Sequence, residues 1–353
     1  MGYRFRLADD FGDAVHRIGR EQIESAIQQM ASTEDGVAVH ETRKCLKRVR
    51  AMLRLVRHAI GETAYKAENN RYGDIGRMLS RSRDRAVLRS TLERLIGEHP
   101  EHGARLRRLK ASVPADVART RLAQKRLASR AGRALKAGLE DWRALQFDGN
   151  DFQSVEKDLA RGVASLRKTM SAAGSDDDAV HDWRKAVQRH WRHMLLLREG
   201  WPDYFEARAA IAKQVSELLG TAQDMTLVIA HAEREAGANS TPDIISLVQA
   251  RRDALRETAR ELCSRLVAES PTGHARRAGM YWAAAQASAV EAGERARRLR
   301  QASDEAALPV AALERMATSP SKRARAKPGP RGRRVRPAAG KGGRTAAVKR
   351  KPG

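Results

Sequence analysis

The chain has 353 residues, 41% apolar but only 4% aromatic, which is enough length for one large or two medium domains packed through aliphatic and small side chains. Its 68 Lys and Arg against 43 Asp and Glu give a formal charge of +25, a field that attracts phosphate polymers or anionic surfaces without choosing among them. Two cysteines, Cys45 and Cys263, exclude a disulfide framework, and no run of ~20 uncharged apolar residues offers a membrane span. The first residues also lack the apolar core of a leader peptide, so a soluble, unexported chain in a reducing cytoplasm is expected.

Ala, Leu, Arg and Glu are abundant and no stretch alternates β-branched residues, so the expected class is all-α. Helical patterns run over roughly 13–31, 37–60, 63–79, 84–98, 103–111 and 115–138. Phe147-Asp148-Gly149-Asn150-Asp151 is the clearest mid-chain break, and helices resume at about 152–172, 178–199, 203–219, 224–237, 241–269 and 273–304. The order of elements repeats, which predicts two pseudosymmetric helical bundles, residues 1–150 and 151–304. Residues 305–353 are expected to be a linker and a disordered basic tail. From Ser319 to Gly353 there are 13 Lys and Arg and no acid, which leaves 55 cations against 43 anions before it, still +12.

The second predicted helix of each half opens with the same word. Ala38-Val39-His40-Glu41-x-Arg43-Lys44-x-x-Lys47-Arg48 recurs 141 residues later as Ala179-Val180-His181-Asp182-x-Arg184-Lys185-x-x-Gln188-Arg189. At about 100° per residue, Arg43, Lys44, Lys47, Arg48 and Arg54 share a face with His40, while Cys45, Leu46, Val49, Met52, Leu53, Val56 and Ile60 form a buried stripe behind them. In the second copy Arg184, Lys185, Gln188, Arg189 and Arg192 stand beside His181, with Trp183, Val187, Met194 and Leu197 at the back. A second landmark follows at nearly equal spacing, Leu79-Ser80-Arg81-Ser82-Arg83-Asp84 and Leu219-Gly220-Thr221-Ala222-Gln223-Asp224.

At these residues the sequence resembles the CHAD family, the conserved histidine α-helical domain, over about residues 15–300. Members resemble one another in a histidine followed by Arg and Lys at helical spacing, then an LGxxxD-like or RD-containing stretch, once in each of two four-helix bundles paired about a pseudo-twofold. The resemblance implies binding of inorganic polyphosphate and association with polyphosphate granules. Carried over residue by residue, it points to His40, Arg43, Lys44, Lys47, Arg48 and, in the second copy, His181, Arg184, Lys185, Arg189 and Arg192; Arg54 joins them from its place on the same face. Gln188 stands where the first copy has Lys47, and Ser80 where the second has Gly220. The ExExK strand motif of the triphosphate tunnel domain found in some members is absent, so nothing imports metal-dependent phosphohydrolase chemistry.

Such a face suits a flexible oxyanion polymer that has no bases to read. Arg supplies a planar fork of donors and Lys a point charge. His40 and His181 have two open roles: contact with the anion, in which case binding is tighter at pH 6 than at pH 8, or a histidine satisfied within its own first turn. Asp84 and Asp224 are expected to cap the following helices or brace an arginine. His99, His102 and His274 read as surface residues, and Trp142, Trp183, Trp191 and Trp282 as core.

No nucleophile, acidic metal cluster or glycine-rich phosphate loop can be assembled, so no catalytic residue, metal or cofactor is expected. The leading reading is a non-enzymatic, cytoplasmic polyphosphate binder with no membrane role. The alternative is a nucleic-acid or nucleoid-associated protein that uses its basic tail.

Overall fold

The computed structural model describes residues 2–31, 35–79, 84–114, 121–149, 151–235 and 242–317; among these there are α-helices, short 3-10 turns and no strand. The chain divides into two compact units, Met1–Glu294 and Arg295–Gly353. In chain order the helices are α1 (Phe11–Ala31), α2 (Asp35–Leu55), the single turn α3 (Arg57–Ile60), α4 (Glu62–Met78), α5 (Asp84–Glu98), α6 (Gly103–Ser112) and α7 (Arg121–Arg143). They continue as α8 (Gln153–Ala172), α9 (Asp177–Leu197), α10 (Pro202–Glu235), α11 (Pro242–Val267) and α12 (Pro271–Ala317).

Within the first unit, α1, α2, α4 and α7 pack as one four-helix ring and α8, α9, α10 and α11 as another. The rings touch along α2 and α9, with α3 against α8 beside them. The stripes expected behind the basic faces are buried: Cys45, Leu46, Val49, Met52, Leu53, Val56 and Ile60 in the first ring, Trp183, Val187, Met194 and Leu197 in the second. Both cysteines are free and buried. An aromatic cluster closes the base, where Phe11 meets Phe5 at 4.9 Å and Trp282 at 5.3 Å between ring centroids. The N-terminal segment is tied to the second ring by the Phe5 N–H, which donates to the Leu196 carbonyl at 2.9 Å.

Local chemistry explains most helix boundaries. Asp176 caps α9 by accepting from the Ala179 N–H at 2.9 Å, ahead of Asp177 and Asp178 in the first turn. Pro202, Pro242 and Pro271 each stand at the first position of a helix, where the missing N–H has no intrahelical partner to lose. Between α3 and α4 the chain reverses at Gly61, whose φ of +77° is open to glycine and strained for other residues; Gly149, in the expected mid-chain break, has φ +84°.

Two expectations are corrected. The helices predicted over 203–219 and 224–237 are one helix, α10, because Gly220-Thr221-Ala222-Gln223 is flanked by Val215, Leu219, Met225 and Val228, all buried at helical spacing. Asp224 therefore lies inside a helix and not at a helix start, which excludes the capping role. The last helix, expected to end at 304, is α12 and runs to Ala317, through a stretch rich in Ala, Leu and Glu; residues 318–353, the basic tail, lie outside the described residues, as does the side chain of Asp84.

The α5–α6 hairpin sits outside the first ring. Leu88, Leu92, Leu95, Leu106 and Leu109 bury against Met225, Val228 and Ile229 of α10 and Val248 of α11. That contact occupies the extra length of α10, so the two rings are alike in plan and unlike at this end.

Close packing of α1 on α7 rests on Gly19. A Cβ there would stand 2.0 Å from the Trp142 ring, and Trp142 is buried with no room to turn. Gly19→Ala is expected to lower stability by about 2 kcal/mol through overpacking. Gly132→Ala, also on α7 but with nothing within 4 Å of the added carbon, is expected to raise it by about 0.5–1 kcal/mol. Urea denaturation of the two variants reads the difference as opposite shifts in midpoint.

Candidate functional site

The basic faces of α2 and α9 meet where the two rings touch. His193 of α9 lies within 2.9 Å of the Ala51 carbonyl of α2, a distance at which its Nε2–H donates. Arg189 neighbours Arg54 and Arg50, whereas Arg192, nearly one turn later on α9, neighbours Arg48, which precedes both on α2. The helices therefore cross antiparallel. His40 and His181 each stand 11 or 12 residues before this crossing, so at 1.5 Å per residue they lie at opposite ends of a cationic strip on the order of 30 Å long.

The middle of the strip is built from arginines held by neutral partners. Arg48 donates to Gln22 Oε1 at 3.1 Å and lies over the Tyr3 ring, 5.6 Å from its centroid. Arg50 donates to Asn69 Oδ1 at 3.2 Å, Arg54 to the Arg50 carbonyl at 2.9 Å, and Arg189 to Ser165 Oγ at 3.0 Å. Arg192 donates to the Gln188 carbonyl at 2.7 Å and stacks over Trp191. Among the described residues no carboxylate lies within ion-pair distance of any of these five.

That composition strains their charge. Burial, then the Arg54 guanidinium, pushes Arg189 down to about 10. Burial also lowers Arg50, with Arg54 and Arg77 adding repulsion, and it lowers Arg54 and Arg192. All remain cations at neutral pH. The site is thus an unfavourable environment for the Arg189 charge while it stands empty.

The ends of the strip are more open and partly self-neutralised. His40, Lys44, Lys47 and Lys185 are exposed. Lys44 pairs with Glu41 at 3.2 Å and Lys185 with Asp182 at 2.9 Å, surface pairs of little energetic weight. Arg43 donates to the Gly76 carbonyl of α4 at 2.9 Å. His181 Nδ1 and Arg184 share Gln223 Oε1 of α10, at 3.2 and 2.8 Å. Gly220 makes room for this: a Cβ there would stand 2.6 Å from the Arg184 guanidinium. Gln188, in the place of Lys47, donates to Ser216 Oγ at 3.1 Å.

The strip thus unites Arg48, Arg54, Arg189 and Arg192 at its centre and leaves His40, Arg43, Lys44 and Lys47 at one end, His181, Arg184 and Lys185 at the other. Sequence reasoning missed Arg50, Tyr3, Gln223 and His193. Arg50 sits at the edge of the helical arc counted from His40, and Tyr3 arrives from the N-terminal segment; neither position is encoded in the repeat. His193 carries no local signal at all.

Several other arginines serve helix ends and are unavailable to a ligand. Arg167 donates to the Val267 and Glu269 carbonyls at 2.6 and 2.7 Å, Arg208 to the Leu266 carbonyl at 2.7 Å, and Arg260 to the Met170 carbonyl at 3.1 Å. Buried Arg256 is paired with Asp177.

The matched family model is that of the CHAD domain, over residues 18–233, well over half of the chain. The chain belongs to the CHAD family. Among solved structures this CHAD chain is similar to PptA from Streptomyces chartreusis, with 14% identity, a TM-score of 0.49, and coverage of 74% of this chain and 100% of that one. It is also similar to the CHAD domain from the plant Ricinus communis, with 19% identity, a TM-score of 0.44, and coverage of 78% and 93% respectively. No curated protein matches it. Among the described residues, no helix of this CHAD protein is long and apolar enough to cross a membrane.

The histidines nearest the crossing are buried. His193 is held down to about 4 by burial, with Arg189, Arg54 and Arg192 opposing its proton despite the Ala51 carbonyl. His274, expected at the surface, is buried beneath Tyr204, whose hydroxyl lies 3.3 Å from its Nδ1; burial first, then Arg208 and Arg277, push it down to about 3. His190, 5.7 Å from His274 between ring centroids, is likewise held well below the usual range by burial. His99 and His102 are half-buried, beside Glu101 and Asp243 respectively.

A histidine whose folded pKa lies below its unfolded value of ~6.5 binds its proton more readily in the unfolded chain. The stability it contributes is full above pH 6.5 and is lost as pH falls toward the folded value, at up to about 1.4 kcal/mol per pH unit for each group. The urea midpoint is expected to be level between pH 8 and 7 and to fall steadily from 6.5 to 5, above the main carboxylate range. His274→Phe is expected to flatten that fall; an unchanged slope would show that this ring is not buried neutral.

Proposed function

We propose that this protein binds inorganic polyphosphate without turning it over, along the strip where α2 and α9 cross. The observation that carries the reading is the set Arg48, Arg50, Arg54, Arg189 and Arg192, five cations confined together with neutral partners only. A fold that merely needed polar surface there would intersperse acids, as it does at Lys44 with Glu41 and Lys185 with Asp182. A linear oxyanion laid across the crossing meets guanidinium forks at the centre and ammonium groups toward each end, and each contact relieves repulsion already present in the empty site.

The same groups speak against chemistry. Guanidiniums, amides and hydroxyls bound to carbonyls hold an oxyanion but provide no activated nucleophile and no general base beside it. Among the described residues, no group of three or more His, Cys, Asp and Glu is placed to hold a metal. The reading extends to location as a proposal: a protein of this kind accompanies polyphosphate granules in the cytoplasm.

Competition between long-chain polyphosphate and duplex DNA for the full chain, at fixed salt, tests the reading. Arg54→Gln/Arg189→Gln is expected to weaken polyphosphate binding by about 30-fold or more while thermal stability holds or rises, because two crowded charges are gone. Equal affinity for both polymers, unmoved by the substitutions, would reduce the interaction to diffuse charge. With about eight cations engaged and a single-strand slope of roughly −0.7 per charge, affinity is also expected to fall on the order of a thousandfold between 50 and 200 mM salt; a titration series gives that slope directly.

A further inference from the structure

The fourth helix of the first ring carries a second concentration of positive charge that the α2–α9 strip does not use. In the ring α7 contacts α1 and α4, diagonally across from α2. Its inner side buries Ala131, Leu135, Leu139 and Trp142. Lys125, Arg126, Arg130, Arg133 and Lys136 are all exposed, and at 100° per residue they fall within an arc of about 140°. None of the five is within ion-pair distance of a carboxylate among the described residues; the one partner found is Ser129 Oγ, which accepts from Arg133 at 2.8 Å. The acids of this helix, Glu140 and Asp141, come only in its last turn, where they pair with Arg143 and Arg71.

The matching helix of the second ring, α11, shows that the fold does not require this. It carries Arg251, Arg252, Arg256, Arg260 and Arg265 but interleaves Asp253, Glu257 and Glu261. Arg251 pairs with Glu98 at 2.8 Å, Arg252 with Asp253 at 2.9 Å, and Arg256 with Asp177. The repeat therefore keeps α2 and α9 alike and lets α7, unlike α11, become an uncompensated cationic ridge among the described residues.

We propose that the outer face of α7 is a docking surface for the sugar-phosphate backbone of double-stranded nucleic acid. The ridge from Lys125 to Lys136 is straight and about 17 Å long at 1.5 Å per residue, and a duplex presents one negative charge per ~1.7 Å of axis on a surface equally stiff. The exposed residues among and just beyond the cations are Ser129 and Ala137, with no aromatic for a base to stack on and no large apolar group to enter a bilayer. The surface reads phosphate and not sequence. It stands apart from the crossing, so the two sites fail separately.

The test compares the full chain with Arg126→Gln/Arg130→Gln/Arg133→Gln/Lys136→Gln. A control removes the same charge from exposed positions elsewhere, Arg94→Gln/Arg107→Gln/Arg108→Gln/Arg276→Gln. Affinity for a 20-base-pair duplex of random sequence and for long-chain polyphosphate is read by fluorescence anisotropy from 50 to 200 mM salt. The α7 variant is expected to lose at least tenfold in duplex affinity at 100 mM salt and to flatten the slope of log affinity against log salt by about 3.6, four contacts at 0.9 each. Polyphosphate affinity should stay within threefold, and the control should keep the duplex slope. Duplex affinity and slope unchanged in the α7 variant, or reduced equally in the control, would overturn the proposal; so would loss of polyphosphate alone, which would assign the ridge to that polymer.

Discussion

The structure turns on the antiparallel contact of α2 with α9. Each helix must bury one side in its own four-helix ring and still meet its counterpart on the other, so near the contact little of either is left for ordinary solvation. What lies between them is Ala51, small enough for close approach, and His193, whose ring bonds to the Ala51 carbonyl. The arginines are arrayed around that contact because the hydrophobic stripes of the two helices are already committed elsewhere. Their half-burial follows from helix packing, and their lowered pKa values follow from the burial.

This arrangement stores unfavourable energy on purpose-built scaffolding. The hydrophobic cores of the rings hold α2 and α9 in place irrespective of the charges, so the strip can remain cationic while empty. A hydrogen bond from each guanidinium to a carbonyl, amide or hydroxyl fixes its orientation without cancelling its charge. Tyr3 has the same effect: its ring face lies 5.6 Å from the Arg48 guanidinium and holds that cation by its flat side without an acid. Acidic partners would have stabilised the empty protein and weakened the site.

Much of this was legible in the sequence, and the division is physical. Cys45, Leu46, Val49, Met52 and Val56 announce a buried stripe because helical periodicity is a local property, and the 141-residue echo of His40 in His181 announces two related rings. The antiparallel sense of the crossing was not legible, because it depends on which turn of α2 meets which turn of α9. Arg50 and His193 enter only through that meeting. Gln223 was visible as part of a repeated landmark, but its role in gathering His181 and Arg184 depends on α10 running unbroken through Gly220. No break falls there because Leu219 and Met225 are both buried and continue the buried face of one helix through Gly220. His274 looked like a surface residue because a single histidine in a basic stretch gives no sign of the Tyr204 ring that covers it.

Symmetry and its breaking divide the labour of the chain. A contact between like helices about a pseudo-twofold places equal demands on both copies, which accounts for the retention of His, Arg and Lys at matching offsets in α2 and α9. No such constraint ties α7 to α11, since neither takes part in the contact between the rings. These helices are free to diverge in charge while keeping their inner apolar faces, and they have done so: α11 is neutralised by Asp253, Glu257 and Glu261, and its extra neighbour is the α5–α6 hairpin through Arg251 and Glu98. Where the hairpin supplies acids and contacts, the helix is quieted. Where it does not reach, α7 keeps its cations in water, and positive charge is concentrated on two faces set by two different rules, one by pairing and one by the absence of it.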